Sequence, residues 1–422
     1  MNAVCRLRRL GLPQLDLTYR RHTMTYVETI LRKIPGTSKW QRDFIALLLT
    51  LILALPGRMT FRNMSRYSSR HERTFARQFA KSFDWVSFNQ ALLEPVLDAP
   101  VLIVTDCSFI TKSGKKTYGL DLFWNGSAAR TERGLELSVI ALIDQQRRDA
   151  YTISARQTPP HTDLASGESV VEGRTAFYLR QLEQIAPQLP DQARYVAADG
   201  YYAKKRYLDG VCELDLHLIS KLRCDANLRY LYRGPHQKRP GPRRQYDGKV
   251  DLQDVSRFDY LGEIEPGIEL YTALVNSPHF KRNLRLAYLL DRRKPGKVRY
   301  AVLFSTDTDL DAWELVRLYR LRFQVEFIFR DGKQYTGLSD CQARSEARLA
   351  FHFNASLTAL NVARLAERSE SSPAVFSMAS VKRRGYNRLF LERIIRYLDL
   401  EAEMVLIHPA YERLCNYGAI AA

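Results

Sequence analysis

Val101-Leu102-Ile103-Val104-Thr105-Asp106 is the stretch whose reading decides the fold. Five apolar or β-branched residues follow one another without a polar break. A strand with one wet face alternates apolar and polar side chains, so this one reads as a strand buried on both faces, in an α/β protein. It ends on a carboxylate, at a strand edge where an ion can reach an acid. A second run has the same shape: Tyr195-Val196-Ala197-Ala198-Asp199, followed by Gly200-Tyr201-Tyr202. Either aspartate alone reads equally well as a turn or cap residue.

Working outward, Tyr118–Trp124 and Leu135–Ile143 read as two more strands, Ala176–Ile185 as a helix and Arg194–Ala198 as a strand. A short helix near Lys204–Gly210 leads to a strand at Leu216–Lys221. The order β-β-β-α-β-α-β is that of a ribonuclease-H-like fold. Residues 224–300 interrupt it. Pro235, Pro240, Gly241 and Pro242 mark turns, and strand-like runs follow at Lys249–Leu252, Phe258–Gly262, Glu269–Val275, Leu284–Leu290 and Tyr300–Ser305. These read as a β-rich insertion in the catalytic domain, at about 224–305. Its charge is lopsided. Residues 221–250 hold nine Lys or Arg against two Asp, and residues 281–300 hold eight against one. Two such blocks on one element favour a DNA-facing surface over solvated loops.

Residues 25–95 have helical texture. Val27, Ile30, Leu31 and Ile34 recur at helical spacing, and an apolar helix follows at 43–55. Its apolar core, Phe44–Leu55, is shorter than the roughly 20 residues a membrane helix needs, so it reads as a buried helix. The segment 60–79 reads as a short helix, a Ser-rich turn and an Arg-studded helix. That suits a helix-turn-helix reader of DNA, and equally a helical hairpin with a solvated face. From Asp311 to about Arg364 the pattern is helical again. A break at Ser369–Pro373 precedes a basic helical tail with Lys382, Arg383, Arg384, Arg388, Arg393 and Arg396. The expected organisation is therefore a helical, DNA-end-binding domain at 1–95, a ribonuclease-H-like catalytic domain at 96–365, and a C-terminal helical region at 366–422.

The 422 residues carry 64 Lys and Arg against 46 Asp and Glu, a net charge of +18, which favours a polyanionic partner. Six scattered cysteines form no CxxC pair, so neither a zinc site nor a disulfide frame is expected, and the compartment reads as reducing. Arg6, Arg8 and Arg9 are not followed by an apolar stretch of signal-peptide type, and Met24 is an alternative start. Cytoplasmic localisation is expected, with no membrane partner. Cys107 reads as a packed thiol, His217 and His352 as structural residues, and Arg130 and Arg133 as either DNA contacts or a solvated turn.

The helix after Asp311 carries the remaining chemistry. Tyr319, Arg322, Glu326 and Lys333 are spaced 3, 4 and 7 residues apart, and at about 100° per residue they fall within an arc of roughly 60°. One helix face would then offer a phenol, a guanidinium, a carboxylate and an ammonium. A salt-bridged surface stripe would use the same residues. The pattern Tyr-x2-Arg-x3-Glu-x6-Lys, within Trp313-Glu314-Leu315-Val316-Arg317-Leu318-Tyr319-Arg320-Leu321-Arg322-Phe323-Gln324-Val325-Glu326-Phe327-Ile328-Phe329-Arg330-Asp331-Gly332-Lys333, resembles the insertion-sequence-four family of transposases. The resemblance covers about residues 99–365.

That resemblance implies an Asp-Asp-Glu transposase whose catalytic and metal-binding carboxylates are Asp106, Asp199 and Glu326. It implies two Mg2+ ions, with Mn2+ as a substitute, and oxygen ligands suit both. Arg322 and Lys333 would grip phosphate, and Tyr319 would contact the DNA backbone near the cleaved end. The partners implied are double-stranded DNA, at terminal inverted repeats and at the target, and a second copy of the chain on paired ends. The reaction implied is cut-and-paste transposition. Relatives that cut the second strand through a hairpin use an aromatic residue in the β insertion. The tryptophans here are Trp40, Trp85, Trp124 and Trp313, all outside 224–300, which leaves Tyr246, Phe258, Tyr260, Tyr271 and Phe280 to stack on a base. Two readings compete with the transposase: a structure-specific nuclease on the same core, and a repurposed DNA-binding protein. The presence of all three carboxylates argues against the last.

Overall fold

The computed structural model describes residues 15–94, 97, 100–160, 173–235, 243–294, 296, 298–368 and 376–420, with side chains from residue 24 onward. Arg6, Arg8, Arg9, Pro240, Gly241, Pro242 and the Ser369–Pro373 break lie outside the described residues. The chain divides into two compact units. One comprises Val96–Phe109 and Gly119–Phe327; the other comprises Met1–Pro95, Ile110–Tyr118 and Ile328–Ala422. This division by compactness does not follow the segments 1–95, 96–365 and 366–422.

The first unit is built on a large mixed sheet. Its strands are β1 (Val101–Thr111), β2 (Asp121–Asn125), β3 (Arg130–Asp144), β4 (Ala150–Gln157), β5 (Tyr195–Ala197), β6 (His217–Lys221), β7 (Arg229–Leu231), β8 (Tyr246–Lys249), β9 (Asp259–Glu265), β10 (Ile268–Ser277), β11 (Arg282–Asp291) and β12 (Arg299–Ser305). The order across the sheet is β2-β3-β1-β5-β6-β12-β11-β10-β7-β8, with β4 also on β3 and β9 also on β10. β1 pairs with β5 and β5 with β6 in parallel; β6 meets β12 antiparallel. The strand-rich stretch after residue 224 therefore continues the same sheet through β12. Val101–Thr105 are all buried, as an unbroken apolar run requires.

The strand expectations need correction in several places. β1 continues to Thr111, so Asp106 lies within the strand and not at its end. The strand read at Tyr118–Trp124 is Asp121–Asn125. The run read at Lys249–Leu252 is replaced by β8 at Tyr246–Lys249, which pairs with β7, a strand that was not foreseen. The strand read at Leu135–Ile143 begins five residues earlier, at Arg130, because its charged start pairs with β2, Trp124 standing opposite Thr131 and Phe123 opposite Glu132. Strand β4 was not foreseen. Thr152 and Ser154 give it polar texture, yet both are buried against its neighbours. Helices α6 (Arg174–Ile185) and α7 (Lys205–Glu213) lie where helices were expected.

The second unit is helical apart from its short 110–118 segment. Its described helices at the start of the chain are α1 (Leu15–Lys33), α2 (Lys39–Ala54), α3 (Phe61–Arg66), α4 (Glu72–Gln78) and α5 (Trp85–Leu93). Helix α2 buries Phe44, Ile45, Leu48, Leu49, Leu51 and Ile52, so its apolar character is spent on the core. Among the described residues no helix is long and apolar enough to cross a membrane. Helices α3 and α4 form the expected short pair. Met64 and Phe75 face inward, while Arg62, Arg66, Arg70, Arg73 and Arg77 are exposed.

The chain after residue 311 forms α8 (Ala312–Leu321), α9 (Gln324–Tyr335), α10 (Glu346–Glu367), α11 (Met378–Tyr397), α12 (Ala402–Ile407) and α13 (Pro409–Cys415), with α9 passing from the first unit to the second. Gly332 does not fray α9. A side chain there would meet Leu338 and Leu357 at 3.2 Å, so glycine permits close packing at that turn. His352 is a structural residue, as read: it is buried, with Nε2 2.8 Å from the Gly337 carbonyl oxygen.

Candidate active site

Parallel pairing brings the two aspartates together. Ile103 stands opposite Val196 and Val104 opposite Ala197. Asp106 lies two residues beyond Val104 on β1 and Asp199 two residues beyond Ala197, just past the end of β5, and the charge of Asp199 acts on Asp106. Each aspartate has its own anchor. Asp106 Oδ1 accepts from the Cys107 amide at 2.8 Å. Asp199 Oδ1 accepts from the Tyr201 amide at 2.8 Å, and its carbonyl accepts from Ser220 Oγ at 2.8 Å. The alternative reading of Asp199 as a cap residue holds: it caps the 3-10 turn Gly200–Tyr202.

The helix expected to carry Tyr319, Arg322, Glu326 and Lys333 on one face is broken. α8 ends at Leu321 and α9 starts at Gln324. Through the break the amides of Arg322, Phe323, Val325 and Glu326 bond three residues back, in 3-10 fashion, at 3.1–3.2 Å. The four residues are therefore not carried by one continuous helix, although Arg322 still neighbours both Tyr319 and Glu326. Tyr319 sits in the last turn of α8, Arg322 in the break, Glu326 in the first turn of α9 and Lys333 in its last turn. Lys333 is exposed and belongs to the second unit.

The break puts Arg322 among the acids. Its Nη1 donates to Asp106 Oδ2 at 2.8 Å, and its Nη2 lies 3.9 Å from Glu326 Oε1. Arg322 is only 7% exposed, whereas the Glu326 side chain is 55% exposed. The guanidinium carbon stands 4.9 Å from the centre of the Phe323 ring and 5.6 Å from that of Tyr319. Its Nε is buried with no acceptor. Arg322 is therefore not an open phosphate hook; it is the internal counter-ion of a carboxylate cluster.

Even with that counter-ion the Asp106 carboxyl is pushed up to about 6. Burial is the main cause; Arg322 opposes it, and Asp199 and Glu326 add to it. All three acids therefore share one electrostatic environment. Burial also raises the Tyr319 phenol, which stays a protonated donor.

Among the described residues no three His, Cys, Asp or Glu side chains are close enough to form a ready-made metal cage. The donor chemistry nevertheless fits a hard divalent cation. The three side chains offer only oxygen, and Asp199 and Glu326 both repel Asp106; Arg322 pairs with Asp106 and Lys204 acts on Asp199.

Behind the aspartates lies a buried polar network that the sequence reading missed. Cys107 Sγ is 3.2 Å from Tyr202 OH, and Tyr178 OH donates to Glu136 Oε1 at 2.6 Å. Side chains alternate along a strand, so Cys107 faces α6 and Asp106 faces the opposite side, toward Arg322. Cys107 is a packed thiol, as read. A glutamate inside the apolar run of β3 was the available signal for the network.

A family model for a DDE superfamily endonuclease matches residues 35–258, and one for a transposase DDE domain matches residues 174–362. No curated protein matches the chain. Asp106 falls in the first match, Glu326 in the second and Asp199 in both. Since the first match takes in more than half of the chain, this protein belongs to the DDE superfamily endonuclease family.

Proposed function

We propose that the chain is a DNA transposase of the insertion-sequence-four type, which cleaves at transposon ends and transfers the freed strand to target DNA. The observation that carries this reading is the grouping of Asp199, Glu326 and Arg322 about Asp106, in a chain matched by transposase and endonuclease models. The sheet order supports a ribonuclease-H-like core with the stretch 224–305 as its β-rich insertion. In this reading Asp106, Asp199 and Glu326 hold two Mg2+ ions, for which Mn2+ substitutes. Paired divalent ions, when bound, activate the attacking oxygen and stabilise the leaving oxygen of an in-line phosphoryl displacement.

The chain's own residues have the following parts. Asp106 and Asp199 supply negative charge from fixed backbone positions. Glu326, largely exposed on the first turn of α9, is free to adjust its rotamer. Arg322 neutralises the acids in the resting protein and turns toward a DNA phosphate once other cations take over that task. Tyr319 donates a hydrogen bond to the DNA backbone, and Lys333 binds phosphate further along α9. The α3–α4 pair, with five exposed arginines, contacts the terminal repeat. Two copies act on paired ends, in the cytoplasm with the nucleoid. A structure-specific nuclease shares every residue of the cluster and differs in lacking strand transfer.

The test is an assay of nicking and joining on a DNA fragment bearing the element's own ends. Mg2+-dependent nicking followed by joining to a target is expected, and both should disappear in Asp106→Asn while DNA binding persists. Nicking without joining would support the nuclease. Unchanged nicking by the variant would remove Asp106 from the site.

A further inference from the structure

The hairpin of β7 and β8 carries a second arginine–carboxylate cluster, exposed rather than buried. The Arg257 guanidinium lies over the Tyr230 ring at 3.8 Å, and that of Arg244 over Tyr232 at 4.7 Å. Tyr230 and Tyr232 are two residues apart at the end of β7, so they share a face and set the two guanidiniums side by side. Both arginines then meet one carboxylate. Arg244 Nη2 pairs with Asp247 Oδ1, and Arg257 Nη2 with Asp247 Oδ2 at 2.7 Å. Backbone acceptors hold each arginine as well: Arg244 Nε donates to Tyr246 O at 3.1 Å, and Arg257 Nη1 to Asp247 O at 3.0 Å.

Three physical points decide what this cluster is for. First, a guanidinium lying on a ring and tied to the backbone has already lost much of its rotamer freedom, so a ligand would not have to order it. Second, a carboxylate giving one oxygen to each of two guanidiniums occupies the place of a phosphate with two free oxygens. The ion pairs are solvent-exposed, and such pairs are worth only about 0–1 kcal/mol, so this occupant is easily exchanged. Third, the segment is basic on balance. Arg233, Arg243 and Lys249 are exposed, and residues 221–257 hold ten Lys or Arg against four Asp. Of these, Asp251 and Asp254 act on the Tyr230 ring and leave Arg244 and Arg257 bridged, among the described residues, by Asp247 alone.

We infer that Arg244 and Arg257, stacked on Tyr232 and Tyr230, form a preset clamp for a backbone phosphate of DNA, with Asp247 as a built-in competitor that the DNA displaces. The inference deepens the DNA-processing reading and rests on it.

The test uses the full-length chain carrying Asp106→Asn, so that no substrate is cut, and a fluorescent DNA duplex of arbitrary sequence titrated by anisotropy across a salt series. Asp247→Asn, and Asp247→Ser as a second variant, should bind the duplex about 3–10-fold more tightly. Arg244→Ala and Arg257→Ala should each bind about 5–10-fold more weakly, with the salt slope reduced by about one. The control is Asp225→Asn, which releases Arg223 from an exposed pair with no stacked ring among the described residues. It should change affinity less than about 2-fold. Equal tightening by Asp225→Asn and Asp247→Asn would reduce the effect to net charge and overturn the clamp. Unchanged or weaker binding by both Asp247 variants would overturn it too, leaving a purely structural ion pair. A parent protein that binds no duplex even at low salt would overturn the DNA reading and the clamp together.

Discussion

Asp106 and Asp247 are both held by arginine, through contacts of similar length, in very different surroundings. Arg322 meets Asp106 inside the sheet unit, where their side chains are 8% and 17% exposed. Arg244 and Arg257 meet Asp247 on an open hairpin. The surface pairs lose little when broken, because water replaces either partner. The buried pair is costly to make and costly to break, because an isolated charge there has no solvent. Similar chemistry thus serves two ends. On the hairpin it presets an exchangeable contact. In the core it stores an electrostatic debt, visible in the Asp106 carboxyl pushed up to about 6.

The largest expected contrast is in activity. Asp106→Asn should reduce Mg2+-dependent nicking below detection in a gel assay, while Asp247→Asn leaves cleavage within about 2-fold once DNA is saturating, since a surface ion pair carries little energy. Comparable losses in both would mean that the two regions do not differ in role.

Next comes stability. Arg322→Ala leaves Asp106 buried without its cation and should cost about 3 kcal/mol in denaturant unfolding at neutral pH. Arg244→Ala should cost less than about 1 kcal/mol. The Arg322→Ala penalty should shrink at pH 5, where Asp106 protonates. A penalty that is the same at both pH values would make it a packing effect.

The pH dependence of the intact protein follows from the same shift. Asp106 has its folded value, about 6, above the ordinary 3.8. Its contribution to stability is therefore fully present below about pH 4 and is lost as pH rises through 6. The full difference corresponds to about 3 kcal/mol, and solvent access trims it toward 2. Asp106→Asn leaves Arg322 buried without its closest anion, so the variant should be less stable in absolute terms. It should still flatten the fall in stability between about pH 4 and 6, whereas Asp247→Asn should not. An Asp106→Asn variant that loses as much stability between about pH 4 and 6 as the parent protein would contradict the assignment. Nicking should decline as pH falls through about 6, because only the ionised carboxylate holds a cation.

The two regions were unequally legible in the sequence. Strands β1 and β5 were plain because both of their faces are buried, and the aspartates ending those runs follow directly. In the 224–305 stretch the later strands, β9 to β12, were marked by strand-like runs between turn residues, whereas the short β7 and β8, rich in charge, were not. The break between α8 and α9 was invisible, since Leu321-Arg322-Phe323-Gln324 holds no glycine or proline and the helical period runs straight through it. Only the folded chain shows Arg322 turned toward Asp106 there. The hairpin clamp was hidden for another reason. The charge block of 221–250 was obvious, but which arginine stacks on which tyrosine depends on cross-strand register, which no local pattern encodes.

The most direct test of the central claim, that Asp106, Asp199 and Glu326 share divalent cations, is anomalous scattering from crystals soaked in Mn2+. The account predicts manganese density touching Asp106 and Asp199, with Glu326 turned toward it and the Arg322 guanidinium displaced from Asp106. Manganese bound elsewhere, or no density beside an Asp106–Arg322 pair that stays closed at saturating Mn2+, would contradict it.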